Sequence, residues 1–229
     1  MNKSLRFLIV FSLLFTLYGC VKEDEAPIGL KDLHEVVFHA GWAPETKTVL
    51  QEDGSVWWSP GDEIALFIEG DTTKYCLKSN STEPSPTTDF IGMIGENDGN
   101  KKVYAIYPYD KGLRKNHFTI PSVQYATLGG FSPGQFVSIA LSNDKNLYFY
   151  NACSGFKFSV AHEGISKIVF KNIENNPITG DMSIPFPSNF PENPTVNPSG
   201  WPGALLSNTL TVYPHKENTL FPESIIMLL

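Results

Sequence analysis

Apolar and polar positions alternate in short runs along most of this chain, and turn residues separate the runs. Glu35–Ala40, Ser55–Trp58, Glu63–Ile68, Lys74–Leu77 and Val103–Tyr107 each read as a strand. So do His117–Ile120, Leu147–Tyr150, Gly155–Val160, Ile165–Phe170 and Thr209–Tyr213. The reason is a side-chain period of two, with β-branched and aromatic residues at the apolar positions. Asp53-Gly54 between Thr48–Leu50 and Ser55–Trp58 is a hairpin signal, and Pro60-Gly61-Asp62 is a turn. No window keeps a 3.6-residue apolar period for a dozen residues, so helix is expected to be minor. Many short strands at about ten-residue spacing predict an all-β, Greek-key β-sandwich.

Three segments depart from this rhythm. Gly129–Gly134 is glycine-rich but lacks the strand, helix and Lys of a phosphate loop, so it reads as a turn. Residues 177–202 hold seven prolines, at 177, 185, 187, 191, 194, 198 and 202. Proline cannot donate to a ladder, so this stretch predicts a long loop or extended hairpin arms, not a central strand. Phe186, Phe190 and Trp201 within it are candidate ligand-contact aromatics, with pinning of the loop to the body as the other role open to them. The closing run Ser224–Leu229 is strand-like and apolar. It either docks into the sandwich or belongs to something longer.

The N-terminus follows a different logic. Lys3 and Arg6 precede an apolar run, Leu8–Leu17, that is too short for a helix spanning a bilayer core of about 30 Å. The run ends in Leu17-Tyr18-Gly19-Cys20, which resembles the cleavage box of a bacterial lipoprotein. On that reading residues 1–19 are a signal peptide and Cys20 is the acylated first residue of the mature chain. The alternative is an ordinary secretory leader with a chance cysteine. Multiple acyl chains, at about 0.8 kcal/mol per buried CH₂, anchor stably where one does not. Residues 20–33 then form a flexible tether. Val21 is not an inner-membrane retention Asp, and Glu23-Asp24-Glu25 resembles a surface-export signal. The expected location is the outer membrane, on the cell surface.

Charge narrows the partners. Loss of Lys3 and Arg6 with the leader takes the formal charge from −7 to −9 over the remaining 210 residues. An acidic chain without a basic run argues against nucleic-acid binding. That length buries roughly 70% of the unfolded chain's surface, enough for one large domain, taken here as 34–229. Cys76 and Cys153 sit in apolar contexts, and either pair in an oxidising compartment or stay free.

Catalytic chemistry is not legible. The five histidines are scattered without metal-ligand spacing, and there is no G-x-S-x-G. Asp62 and Glu63 are adjacent, so on a strand they point to opposite faces. Glu96–Asn100 has calcium-like composition without EF-hand order and reads as a hairpin turn. The expectation is a protein that is not an enzyme and carries no cofactor or metal. Asp71-Thr72-Thr73 resembles a short acceptor for O-glycosylation of exported proteins, with Thr72 as the modified residue.

From Thr46 onward the residues become specific. Thr46–Leu50, Asp53-Gly54, Val56–Trp58 and Gly61–Phe67 resemble the opening of the fimbrillin-like family of surface lipoproteins and type V pilus subunits. The resemblance continues through Val103–Tyr109, Ile120-Pro121, Gln124, Phe149 with Asn151–Cys153, Phe156 with Phe158, Ile168 with Phe170, and Ile178 with Gly180-Asp181. It spans about residues 35–215. It implies a transthyretin-like sandwich, cell adhesion or fimbrial assembly, and joining of subunits by strand exchange after proteolytic removal of an N-terminal strand. The basic residue at that maturation position is Lys47, where the family's arginine-specific protease would meet a lysine. The family's second sandwich has no counterpart expected in this chain. Two functions are therefore expected: a lipid-anchored fimbria-like structural protein, or an outer-membrane glycan-binding lipoprotein that uses Phe186, Phe190 and Trp201.

Overall fold

A computed structural model of the chain describes residues 33–42, 57–95, 101–126, 135–153, 155–158, 160, 162, 164–184, 196–214 and 225–228. In chain order the strands are β1 (His34–Trp42), β2 (Glu63–Ile68), β3 (Tyr75–Ser79), β4 (Thr88–Ile94), β5 (Val103–Tyr107) and β6 (Gly112–Arg114). Next come β7 (His117–Ile120), β8 (Val123–Tyr125), β9 (Ser138–Ser142), β10 (Asn146–Asn151), β11 (Gly155–Phe158) and β12 (Ile168–Lys171). The last are β13 (Thr179–Ser183), β14 (Asn197–Pro198), β15 (Leu206–Ser207), β16 (Thr209–Tyr213) and β17 (Ile225–Leu228). The protein is all-β, with no helix among the described residues.

Seven strands close into a ring in the order β1-β10-β9-β5-β2-β3-β4. An odd ring cannot alternate strand direction all the way round, so at least one neighbouring pair must run parallel. That pair is β1 with β10, registered His39 to Asn146 through Trp42 to Phe149. Strands β2, β3 and β4 are a meander, and β5 returns beside β2. This is the Greek-key order that the strand spacing predicts. The turn before β2 is as expected: the Asp62 N–H donates to the Ser59 carbonyl at 3.1 Å. Pro60 fills its second position and Gly61, at φ 82°, its third, where a residue with a Cβ would be strained.

The ring's interior is built on aromatics. Trp58 is fully buried, stacks on Trp42 at 4.6 Å, and meets Phe90, Phe149 and Tyr107 edge-on at 5.0–5.2 Å. Of the predicted strand Ser55–Trp58, Trp58 makes a single bridge to Ser85, and residues 51–56 lie outside the described residues.

A second sheet, ordered β14-β13-β7-β6 with β15 also on β13, covers part of the ring's outside. Phe118, Ile120, Met182 and Ile184 from this side join Ala65, Phe67, Tyr104, Ile106 and Ile139 of the ring in one buried cluster. Gly112 on β6 marks the closest approach, since a Cβ there would lie 2.8 Å from the Ala65 Cβ and 3.3 Å from the Ile106 Cβ. Strands β2, β5 and β9 are thus buried on both faces, which is why β2 and β5 read as near-continuous apolar runs. Strand β3 keeps a solvated outer face and strictly alternates.

The third sheet, β12-β16-β8, has its own small core of Ala126, Leu210 and Val212, flanked by Phe158, Ile168, Phe170 and Ile178. Within the C-terminal run, β17 pairs antiparallel with β11 in a two-stranded sheet. The proline-rich stretch needs a correction. Residues 177–202 contain β13, a central strand paired with β7 on one side and with β14 and β15 on the other. Its five residues lie between Pro177 and Pro185 and contain no proline, so every ladder donor is present. The pairing of β13 with β14 supplies the hairpin arms that were the other expectation for this stretch.

Candidate functional site

The residues singled out from sequence fall into three groups. Cys20, Lys47, Phe186 and Phe190 lie outside the described residues. Thr72 is exposed, in a turn before β3. Asp71 organises that turn: its carboxylate accepts the Thr73 N–H at 2.8 Å and the Tyr75 hydroxyl at 2.6 Å. Trp201 lies at the cover sheet, with the Arg114 guanidinium 4.2 Å from its ring centroid and the His117 ring stacked at 5.7 Å. Its indole Nε1 is buried without a hydrogen-bond partner. These contacts join Trp201 to Arg114 of β6 and His117 of β7.

Around Trp201 the fold brings together residues that sequence reasoning left apart. His117 Nδ1 is 3.1 Å from the buried Ser199 Oγ. Burial pushes the His117 imidazole below its ordinary value, the Arg114 charge adds to this, and Asp181 partly offsets it. The nearby carboxylate does not complete a relay. One Asp181 oxygen accepts the Thr119 hydroxyl at 2.9 Å and the other accepts the Leu205 N–H at 2.8 Å. With the serine buried and the carboxylate engaged elsewhere, this cluster ties β7, β13 and the 199–205 loop together. It does not assemble a nucleophile and an oriented base.

The two adjacent carboxylates separate as the pleat requires. Asp62 accepts the Ser59 N–H at 2.7 Å and the Tyr107 hydroxyl at 3.1 Å, and desolvation raises its carboxyl above the usual range. Glu63 instead faces Lys78 at 3.6 Å. Cys76 and Cys153 are free thiols, the first exposed and the second buried.

A cleft of about 500 Å³ lies on the part of the ring that the second sheet leaves open. Register builds it. Asn146, His39 and Asp89 stand side by side on β10, β1 and β4. One step inward, Leu147, Ala40 and Thr88 are buried. The next outward positions are Tyr148 on β10 and Gly41 on β1, with Thr87 just before β4. Gly41 has no side chain, and among the described residues the only atom near the position its Cβ would take is the Thr87 Cγ2 at 3.7 Å. The result is a trough floored by Gly41, walled by Tyr148 and Thr87, and flanked by the polar row. His39 Nδ1 and an Asp89 carboxylate oxygen are in hydrogen-bond contact. Tyr148 is 58% exposed.

Sequence reasoning missed this cleft. Two signals pointed to it: a glycine inside a strand, which often marks a place where something approaches closely, and the alternation Asn146–Tyr150, which puts Tyr148 outside. Its row depends on the non-local pairing of β1 with β10, which no local pattern reports. Compared with protein-family models, with curated proteins and with solved structures, the chain matches none.

Proposed function

We propose that this is a lipid-anchored cell-surface structural protein of fimbrial type. Acylated Cys20 holds it in the outer membrane, and the β-body stands outside the cell in an adhesion-related role. The observation that carries the reading is the basic and apolar leader ending in Gly19-Cys20, followed by the charged segment Lys22–Glu25. The all-β body is compatible with assembly by strand addition. The ring has no edge to share while β1 is in place, and release of β1 by cleavage at Lys47 would open it between β10 and β4, where a neighbour's strand could add.

Metabolic labelling with an alkyne fatty acid tests the anchor. The protein takes up label, and Cys20→Ala abolishes both label and leader cleavage; unlabelled protein that is nonetheless processed would overturn the reading. Protease treatment of intact cells removes a surface-displayed body, and full protection would contradict surface display. Cleavage at Lys47 by a trypsin-like protease is expected to yield multimers that resist dissociation, and monomers alone would remove polymerisation. O-glycosylation at Thr72 appears as added intact mass that Thr72→Ala eliminates, and an unshifted mass dismisses it.

A further inference from the structure

The open cleft on β10, β1 and β4 has a ligand chemistry of its own, and it stands apart from acylation at Cys20. We infer that the trough between Tyr148 and Thr87 is a binding site for a neutral glycan. Three features point to that class.

The first is the composition of the walls. Asn80, Ser81, Thr87, Asp89, Asn146 and His39 line the cleft with carboxamides, hydroxyls, a carboxylate and an imidazole. Sugar hydroxyls are donor and acceptor at once, and these groups answer both roles within one small area. Asn146 donates its Nδ2 to Asp144 at 3.1 Å, leaving its carboxamide oxygen available among the described residues. Asp89 uses one carboxylate oxygen on His39, and its other oxygen has no hydrogen-bond partner among the described residues.

The second is the placement of the aromatic ring. Tyr148 is one of the large apolar residues left exposed, and it stands at the edge of the polar row. A sugar's C–H face needs one flat apolar surface next to its hydrogen-bonding groups, and a tyrosine supplies that with little loss of side-chain freedom. Three strands and two outward rows span about 10 Å by 7 Å, a footprint suited to one or two sugar rings.

The third is charge. The described lining contains Asp89 and no Lys or Arg. An anionic ligand would meet the Asp89 carboxylate with no Lys or Arg in the described lining and with the His39 imidazole already on Asp89, which selects against sulfated or sialylated sugars. One exposed ring also falls far short of what a lipid chain or an apolar peptide would need.

The test is a binding assay of the purified full-length protein on an array of defined neutral oligosaccharides, with sialylated and sulfated members alongside. Retention of at least one neutral glycan is expected. Tyr148→Ala and Gly41→Val, the second filling the trough from its floor, each weaken that binding roughly tenfold or more. Tyr148→Trp keeps it, because the flat face survives. Circular dichroism melts check that the variants fold, which these solvent-facing positions should permit. The inference is overturned if no neutral glycan is retained, if only anionic members bind, or if Tyr148→Ala and Gly41→Val both bind as the unsubstituted protein does. Labelling at Cys20 reads out separately, so loss of one result leaves the other intact.

Discussion

The two halves of the closed ring use the same architecture and meet different surroundings. The outer face of β2, β5 and β9 is sealed by the second sheet, with Ala65, Phe67, Ile106 and Ile139 inside a shared core. The outer face of β10, β1, β4 and β3 carries Tyr148, His39, Asp89, Met93, Cys76 and Lys78 and meets solvent. The boundary runs between neighbours. Ala65 on β2 is buried, while its ladder partner Cys76 on β3 is exposed. What covers a strand therefore decides its composition more than the ladder does. A sealed strand becomes continuously apolar, and an open one keeps polar groups free for a ligand.

The largest expected contrast is kinetic. Cys153 lies in the sealed core, where burial pushes its thiol up to about 12. At pH 8 only about one in ten thousand such thiols is a thiolate, and the reagent must also reach it. Desolvation, reinforced by Glu63, raises the Cys76 thiol as well, yet that residue stays accessible. Of the two described thiols, a thiol reagent should modify Cys76 in the native protein, and Cys153 should react only in denaturant. Equal rates would mean the cover sheet is not seated.

Stability measurements break the comparison more finely. Phe67→Ala deletes a ring that is 1% exposed on the sealed face and should cost about 3–5 kcal/mol by denaturant unfolding. Gly112→Val forces a branched side chain against Ala65 and Ile106, where the sheet meets the ring, and should cost about 1–3 kcal/mol. Tyr148→Ala, on the open face, should stay within about 0.5 kcal/mol. If Tyr148→Ala proved as costly as Phe67→Ala, the open face would be core, and the cleft would not be free for a ligand.

The sealed half was largely legible in the sequence. Glu63–Ile68 and Val103–Tyr107 read as strands because burial on both sides leaves no polar interruption, and both formed as expected. Strands β4 and β9 were missed. In Thr88–Ile94 and Ser138–Ser142 the apolar residues are mixed with Thr, Asp, Gly and Ser that the ladder, more than packing, accounts for. Strand β13 was missed because the surrounding prolines outweighed five residues that contain none. The cleft was illegible for a different reason. Asn146 and His39 are adjacent through a parallel pairing across more than a hundred residues, and only the closure of an odd ring brings them together.

The contrast between the two halves is tested most directly by oxidative footprinting of the two methionines that sample them. Met93 is 47% exposed on β4 of the open face, and Met182 is 3% exposed on β13 against the sealed one. Dilute peroxide followed by peptide mass analysis should oxidise Met93 readily in the native protein and leave Met182 unmodified until the protein unfolds. Oxidation of Met182 at a rate equal to or above that of Met93 under native conditions would contradict the account.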